Sequence, residues 1–499
     1  MKNLNNKKGV LLVAVIAIML ITAALSTVLA SLVAVTTRTT PDYLRSSQAL
    51  GLAQAGLNWY MQRLCGVANW TVETNQTGVV LGPGTFDVFL SNKAAPQTDS
   101  TTDTAMDISV TGNVIGANGV TIKRTMSQRA WKLPSASKFA LFWGRRTGAT
   151  LTLNSTTING DYWSQGSSNF TGSTIANGTA YRPSTESISG APSVAISYPY
   201  FSDFTGATAT FSTPALTLGY YTNLIGGYDA AIAGCSSVAT INQNTNLVLN
   251  GNTVCCRTFN TNTANNTNVT ISGHGTIVAN RDIFLASTSG INRTLTISPS
   301  GGNILILAGR SLTINAATGG NTITINSGTR MYSASNSANT QLTIINNNNT
   351  IINSSIILAD RRIIVQNSAN INGSTFFVNY PGSANNNYLR VTGSGTVVGT
   401  SVSPCSLFSI GRANGNLASG LTVDTGASVT GLLYQYDTAN AGMTDIASAT
   451  IAGSVIANRF QGNAITSSTI TYDPTAFPDP PPEGFSGFAT KKPDSWVGI

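Results

Sequence analysis

One short pattern constrains the fold of this chain more than any other feature: apolar residues, an alanine, a turn-forming residue and an arginine. Its four clearest copies are Ile277–Arg281, Ile306–Arg310, Ile357–Arg361 and Val455–Arg459. Their alanines are 29, 51 and 98 residues apart, close to one, two and four periods of about 25. This period, with β-branched strands and turns of Asn, Gly and Ser, predicts a right-handed parallel β-helix (a solenoid) over residues 136–475.

The arginines of the pattern are candidate binding residues. Stacked once per rung, Arg281, Arg310, Arg361 and Arg459 would line one edge of the β-helix and form a cationic stripe that could hold a polyanion. Alternatively, each guanidinium is solvated at a turn while its aliphatic stem covers the apolar rung below. Because some rungs carry no arginine, the sequence favours the second interpretation.

Composition narrows the class of protein. Charged residues make up 9% of the chain, with 27 Lys and Arg against 19 Asp and Glu and a net charge of +8. A disordered chain combines low hydrophobicity with high net charge. Because 41% of this chain is apolar, we expect it to be folded. The positive balance favours anionic partners. No basic run with interleaved aromatic residues marks a nucleic-acid site, so we do not expect nucleic-acid binding as the main function.

The five cysteines are an odd number, which leaves at least one thiol unpaired. Outside the cytoplasm we expect a disulfide from Cys235 to either Cys255 or Cys256, and both pairings remain open. A Cys/His zinc site is not expected, because His274 is the only histidine and the adjacent pair Cys255–Cys256 lacks ligand spacing. We therefore expect no metal and no cofactor.

The N-terminus carries a basic leader at residues 1–9 and an uncharged apolar run at residues 10–35. Because about 20 apolar residues in a helix span the hydrocarbon core of a bilayer, residues 10–35 predict a transmembrane helix. The basic leader favours an N-terminus that stays in the cytoplasm while the rest of the chain lies outside. The same residues would also suit an uncut anchor or a signal peptide that is cleaved after Ala30.

A second helical pattern follows at residues 36–65 as an amphipathic extension of the first. Its apolar stripe has helical spacing and consists of Leu50, Ala53, Leu57, Tyr60, Met61 and Leu64. Three alternating segments then predict strands that bury one face against this helix: Gly84–Leu90, Met106–Val110 and Val120–Met126. We expect residues 66–135 to form a small antiparallel β-sheet and the whole fold to be mainly β.

Two N-terminal motifs resemble a known family. Lys8-Gly9 precedes the long apolar helix, and residues 48–57 read QALGLAQAGL. The positions that match the family signature are Ala49, Leu50, Ala53, Ala55, Gly56 and Leu57. Together these motifs resemble the N-terminal domain of PilX-type minor pilins of type IV pili. The resemblance implies cleavage by a prepilin peptidase between Gly9 and Val10, and assembly with other pilins or pseudopilins.

This chain departs from the family pattern at three positions. Val10 replaces the usual phenylalanine, Gln54 replaces the glutamate of the signature, and Ala14 replaces the glutamate that major pilins have at mature position five. A carboxylate in apolar surroundings is costly unless a partner charge compensates it, and in a pilus that charge is the amine of the neighbouring subunit. The resemblance to minor pilins without this glutamate therefore implies a tip or initiating subunit. Alternatively, the protein does not polymerise and is a membrane-tethered head.

Enzymatic activity is not expected. Parallel β-helices also serve as polysaccharide-degrading enzymes, and glycoside hydrolysis needs two carboxylates about 5 to 9.5 Å apart. In the repeat, Asp282 follows its arginine whereas Asp360 precedes its arginine, so the two acids do not share a strand position. The proline-rich tail, residues 476–499, is expected to lie outside the solenoid, because three consecutive prolines cannot join a sheet ladder.

These observations predict a minor pilin-like subunit with a single pass through the bacterial inner membrane, which displays a β-helical head outside the cytoplasm. After assembly we expect it at the cell surface, at the tip of a type IV pilus or pseudopilus, in adhesion or assembly. Its expected partners are the membrane, other pilins, the pilus assembly machinery, and a surface glycan or host ligand. The alternative is a membrane-anchored polysaccharide-binding or polysaccharide-degrading β-helix protein.

Overall fold

The computed structural model combines one long helix, a small antiparallel sheet and a large parallel β-helix. It describes residues 3–65, 67, 69–95, 103–116, 119–133, 135–144, 150–182, 187–190, 219–261, 268–287, 293–316, 320–334, 342–346, 349–380, 388–411, 420–436, 444–483, 490–491 and 497–498. The helices are α1 (Asn3–Cys65) and α2 (Gly219–Gly234), with short 3₁₀ turns at Trp70–Val72 and Ser135–Lys138. Within the described residues, no helical segment combines the length and the apolarity needed to cross a bilayer.

The small sheet contains β1 (Gln76–Leu81), β2 (Gly84–Ala94), β3 (Ala105–Ile115) and β4 (Thr121–Trp131). Neighbouring strands are antiparallel in the order β1-β2-β3-β4. The strands of the β-helix are β5 (Leu141–Trp143), β6 (Leu151–Asn154), β7 (Thr157–Asn159), β8 (Tyr162–Ser164), β9 (Ser168–Thr171), β10 (Thr174–Ala176), β11 (Ala180–Tyr181), β12 (Ile188–Ser189), β13 (Thr240–Asn242), β14 (Leu247–Val248), β15 (Thr253–Asn260), β16 (Val269–Ser287), β17 (Thr294–Ala308), β18 (Ser311–Ala316), β19 (Thr322–Ile325), β20 (Thr329–Ser333), β21 (Leu342–Asn346), β22 (Thr350–Asn353), β23 (Ile356–Ala359), β24 (Arg362–Gln366), β25 (Asn370–Asn372), β26 (Thr375–Tyr380), β27 (Tyr388–Thr392), β28 (Val397–Val398), β29 (Cys405–Gly411), β30 (Leu421–Asp424), β31 (Ser428–Tyr436), β32 (Thr444–Ala447), β33 (Thr450–Ala457), β34 (Phe460–Thr466) and β35 (Thr469–Thr471).

The small sheet confirms the three strands predicted from alternation. In β3, every second residue from Met106 to Val114 faces α1, and most of these positions are buried apolar residues. The helix covers this face with Ala53, Leu57 and Tyr60, which are all at most 1% exposed. Leu50 is 40% exposed, so its predicted place in the apolar stripe is wrong. Ala49, one position earlier on the helix, is the residue that faces the sheet.

The strand pairing of the β-helix confirms the predicted repeat residue by residue. Ile277 pairs with Ile306, Ile306 with Met331, and Met331 with Ile357, always between parallel strands. The 29-residue spacing therefore joins direct neighbours, and the 51-residue spacing skips one rung. The stacked strands form three faces: face 1 contains Ile277–Ala279 and the segments paired with it, face 2 contains β18, and face 3 contains β19. Their inward side chains form one continuous apolar core.

Face 1 is buried on both of its surfaces, which explains why its strands read as unbroken apolar runs. Ile306 and Ala308 point into the core of the solenoid, whereas Leu307 between them points outward. The outward column continues through Val278, Tyr332 and Leu358, and all of these side chains are at most 1% exposed. Helix α2 and aromatic residues around Phe139 cover this column.

The rungs are not stacked in the order of the sequence. The late strands β33, β34 and β35 pair with the early strands β5, β6 and β7. In space the rungs therefore run from β13 up to β35 and then continue with β5 up to β12. The first rung of the chain lies in the interior of the stack, and β13 and β14 form one end, which we call the distal end.

Helix α2 leads the chain back to the distal end. It comprises Gly219–Gly234, and residues 191–218 before it lie outside the described residues. Tyr221 stacks on Phe377 with ring centroids 4.3 Å apart, and Tyr228 lies 5.8 Å from Tyr332. From Phe377 to the rung of Cys255 there are five strand spacings, about 24 Å. The 14 residues from Tyr221 to Cys235 rise about 21 Å, so α2 matches this span.

The described part of the C-terminal tail joins the small sheet. Strands β36 (Thr490–Lys491) and β37 (Val497–Gly498) both pair antiparallel with β4. Before them, Asp479 accepts hydrogen bonds from Arg129 Nε at 2.8 Å and from Trp131 Nε1 at 3.1 Å. The tail therefore ties the end of the β-helix to the small sheet.

Candidate functional site

The segment of α1 that resembles the pilin signature, residues 48–57, packs against the small sheet. A Cβ atom added to Gly112 of β3 would collide with the backbone oxygen of Ala49, and one added to Gly56 would lie 2.6 Å from Phe86. Ala53 is fully buried beside Gly112. Small residues on both sides thus let α1 approach the strands closely. Side chains larger than these would force the two elements apart.

The other signature positions lie around this contact. Leu57 is buried at 1% exposure, Ala55 is half-buried, and Leu50 and Gln54 face outward. The predicted cleavage position at Gly9 and Val10 falls within the bounds of α1, but the surroundings of these residues lie outside what the structure describes. The same holds for Ala14.

Cys235 and Cys255 form a disulfide. Successive residues of a strand point to opposite sides, so Cys255 faces outward toward α2 whereas Cys256 faces the core. This geometry selects Cys255 from the two partners that the sequence left open. The bond fixes the end of α2 to the rung at the distal end. Burial raises the pKa of the Cys256 thiol to about 11.

Three arginines lie on successive rungs at the corner between faces 1 and 2, near the distal end. The backbone N–H of Arg310 donates to the carbonyl of Arg281 at 2.7 Å, so these two residues occupy the same position in successive rungs. Arg257 occupies the corner of the rung below, next to Cys256. We call Arg257, Arg281 and Arg310 the arginine ladder. Sequence reasoning found Arg281 and Arg310 by their repeat but missed Arg257, because Cys255–Cys256 obscures the pattern there.

The charges of the ladder are only partly compensated. Arg310 forms a bidentate ion pair with Asp282, with Nε at 2.8 Å from Oδ1, and 39% of its side chain is exposed. Among the residues that the structure describes, neither Arg257 nor Arg281 forms an ion pair. Arg257 is exposed and Arg281 is half-buried. The ladder therefore presents positive charge to solvent.

The two remaining repeat arginines occupy the same corner farther along the stack. Arg361 follows Ala359, two rungs above Ala308, and Arg459 follows Ala457, four rungs higher again. Both are half-buried. The structure therefore places all four repeat arginines on one edge, but it brings together only Arg281 and Arg310.

A second charged cluster lies on the outer surface of face 2. Arg390 Nη2 donates to Asp424 Oδ2 at 2.8 Å, and Asp445 lies on the neighbouring strand β32, opposite Thr422. Burial and the nearby Asp424 raise the pKa of Asp445, while Arg390 opposes that shift. Sequence reasoning compared only the acids next to repeat arginines and so missed this pair. The two carboxylates become neighbours only through strand register.

A third cluster connects α2 to the β-helix. The Tyr332 hydroxyl lies 2.8 Å from Asp229 Oδ1 on α2 and 2.9 Å from Asp360 Oδ1 at the corner. Burial and the two carboxylates raise the pKa of Tyr332 far above its usual range. The hydroxyl therefore stays protonated and donates its one hydrogen to either of the two carboxylates.

A pocket of about 280 Å³ lies where the small sheet, the β-helix and the tail meet. Its walls include Trp131 of β4, Val402 and Pro404 of a β-helix turn, and Phe477 and Asp479 of the tail. Within the described ranges, no three His, Cys, Asp or Glu side chains converge as metal ligands would. No protein-family model, no curated protein and no solved structure matches the chain.

Proposed function

We propose that this protein is a minor pilin-like, membrane-inserted subunit that displays its β-helical head outside the cell, in pilus or pseudopilus tip assembly or in adhesion. The observation that carries the proposal is the contact of α1 with the small sheet. Four of the six residues that resemble the PilX-type signature lie in this contact: Ala49, Ala53, Gly56 and Leu57. Most positions that resemble the signature are therefore also positions at which α1 packs against the small sheet.

The attachment of the head supports a display role. The β-helix connects to the small sheet through Ser135–Lys138 on one side and through the tail on the other. Lys132 and Glu483 are 3% and 4% exposed at this junction, and burial lowers the pKa of Lys132 while Glu483 opposes the shift. Two chain connections and buried charges give the head a fixed orientation on α1. A fixed orientation suits a subunit that presents its head beyond a membrane or a filament.

Mass spectrometry of the N-terminus tests the proposal. In a host with a prepilin peptidase, the mature chain is expected to begin with a methylated Val10, and a substitution of Gly9 by valine should leave the leader in place. A mature chain that begins at Ser31 would show a signal peptide, and an intact Met1 would show a plain anchor. Either result would contradict the pilin-like assignment.

The position at a filament end rests on Ala14 and is tested separately. Because a carboxylate at this position needs the amine of a neighbour above it, an alanine suits a subunit at the tip. Gold-labelled antibody against the head should mark filament ends at about one site per filament, a ratio that follows from an end-located subunit. Labelling along the shaft would contradict the tip position.

A second candidate function, degradation of a surface polysaccharide, is favoured by one observation, the pair Asp424 and Asp445. Glycoside hydrolysis pairs a carboxylic acid that keeps its proton with a second, ionised carboxylate. The raised pKa of Asp445 suits the first role, and the ion pair of Asp424 with Arg390 suits the second. The test is reducing-sugar release from neutral and acidic glycans by the wild-type chain and by D445N. Release that D445N abolishes would favour the enzyme over the structural head.

A further inference from the structure

The distal end of the β-helix carries a concentrated positive charge. Residues 236–320 contain four arginines and one aspartate, so their formal charge is 4 − 1 = +3, with the single histidine neutral. Arg293 is 6% exposed, whereas the arginine ladder opens to solvent. The only acid in this region, Asp282, is already bound to Arg310.

The spacing of the ladder suits a linear anion. Adjacent parallel strands lie about 4.8 Å apart, so Arg257 and Arg281, the two ladder residues without an ion pair among the described residues, place their charges on successive rungs at about this interval. Arginine presents a planar fork of donors that matches a carboxylate in a bidentate manner. A polymer with regularly repeated carboxylates can therefore engage Arg257 and Arg281 at once, and its binding gains from multivalency.

The surface beside the ladder suits a sugar. On face 2, hydroxyls lie on the rungs of Arg257 and Arg310, at Thr258, Ser311 and Thr313, whereas the rung of Arg281 between them presents Asp282 and Phe284. All three hydroxyl-bearing residues are half-buried. Hydroxyls both donate and accept hydrogen bonds, which is what the hydroxyl groups of a sugar require.

The same surface is poorly suited to single-stranded nucleic acid. Proteins that bind such strands combine a basic groove with several aromatic side chains on which the bases stack. Residues 236–320 contain two such side chains, Phe259, which is fully buried, and Phe284, which is 38% exposed. One partly exposed ring does not form a stacking platform.

We propose that the arginine ladder Arg257, Arg281 and Arg310 at the distal end is a binding site for an acidic polysaccharide that runs along the corner of the β-helix. This inference rests on the proposed function in one respect, since it needs the head to lie outside the cell. It names the ligand class of the displayed head as a carboxylate-bearing glycan.

Binding of the full chain, held in a nonionic detergent, to immobilised polygalacturonate tests the site. Fully methyl-esterified polygalacturonate has the same backbone without charge and is the matched ligand. The wild-type chain should bind the acidic form and not the ester. The double variant R257Q/R281Q should bind the acidic form about tenfold more weakly, because it removes two exposed charges that the carboxylates of the ligand engage. Its slope of log affinity against log salt should fall by about two.

The control variant is K123Q/R124Q, which removes the same charge from the exposed end of β4 on the small sheet. It should bind polygalacturonate as the wild-type chain does. Equal losses in both double variants would show that net charge alone drives binding, and binding of the ester would show that charge is not recognised. Either result, or no binding at all, would overturn the proposal.

A single-stranded DNA of mixed sequence is the competing ligand. Tighter, ladder-dependent binding of this DNA than of polygalacturonate would overturn the assignment to a glycan. The intact Cys235–Cys255 bond and an unchanged unfolding temperature show that R257Q/R281Q is folded. Because maturation at Val10 is measured independently, failure of the glycan site is distinguishable from failure of the pilin-like assignment.

Discussion

Val455 pairs with Leu141 in parallel register, so the last rung of the β-helix lies directly on its first rung. The chain therefore enters and leaves the stack at one level, where the small sheet is attached. The rungs from Leu141 to Ser189 extend the stack beyond the last rung instead of starting it at an end. As a consequence, the first rung acquires one of its two neighbours only after residues 455–471 have been made.

A designed disulfide checks this order of rungs. Asn154 of β6 pairs with Thr466 of β34. Replacing both by cysteine should give a disulfide under mild oxidation, because paired parallel strands hold Cα atoms about 4.8 Å apart, within the range of about 4.4–6.8 Å that disulfides need. Mass spectrometry of unreduced peptides would identify the bond. The control pair N154C/T313C lies on distant rungs and should stay reduced; a bond there instead would contradict the order.

Two glycines give opposite predictions for the contact of α1 with the small sheet. Gly112→Ala should lower the free energy of unfolding by about 1–3 kcal/mol, because the added methyl group meets the backbone of Ala49. Gly51→Ala should raise it by up to about 1 kcal/mol, because Gly51 has open space around its Cα and alanine favours the helix. Urea unfolding followed by tryptophan fluorescence measures both. Changes of the same sign would show that close packing is not what Gly112 provides.

Much of this fold follows from local pattern. The strands of the small sheet and the rungs around Ile277 and Ile306 were predictable, because alternation and a repeat of about 25 residues reflect local burial and stacking. The pairing of Leu141 with Val455 was not predictable from such patterns. It depends on α2, which carries the chain back along face 1. The sequence of α2 shows neither the pattern of a solvent-exposed helix nor that of a strand, because its buried tyrosines are spread among glycines and alanines.

Some residues of the candidate sites could likewise be predicted from local sequence patterns, whereas others depend on strand register. The repeat gave the positions of Arg281 and Arg310, but only strand register adds Arg257 to the ladder. The choice of Cys255 over Cys256 could be predicted from the sequence, since neighbouring strand residues face opposite sides. The proximity of Asp424 and Asp445 could not be predicted, because it depends on which strands of face 2 are neighbours.

Removal of the disulfide tests the role of α2. Cys235→Ser should lower the free energy of unfolding by about 3 kcal/mol, since the bond closes a loop with a sequence separation of 20 residues. Thermal unfolding of the variant should not respond to a reductant, whereas wild-type protein should lose stability. Cys65→Ser is the control, because Cys65 lies in α1 and takes no part in this disulfide. If the reductant leaves the wild-type protein unchanged, the bond does not hold α2 in place.

Alkaline unfolding tests the interior of the β-helix at Tyr162. The side chain is fully buried, and its hydroxyl lies 2.6 Å from Ser168 Oγ. Burial raises the pKa of Tyr162 to about 12, from an ordinary value near 10.0, although the hydrogen bonds to Ser164 and Ser168 oppose the shift.

The direction of the effect follows from proton linkage. Between pH 10 and 12 the unfolded chain releases the proton of Tyr162 while the folded protein keeps it, so the folded state binds more protons and the free energy of unfolding falls as the pH rises. One tyrosine contributes a slope of up to about 1.4 kcal/mol per pH unit in this window. Urea midpoints measured from pH 9 to 11.5 should therefore fall less steeply in Tyr162→Phe than in the wild-type protein. Tyr43→Phe, which alters a tyrosine that is 79% exposed, should keep the wild-type slope. Equal slopes in all three proteins would mean that Tyr162 ionises in the folded state as it does in water, and its hydroxyl would then not lie in a dry interior.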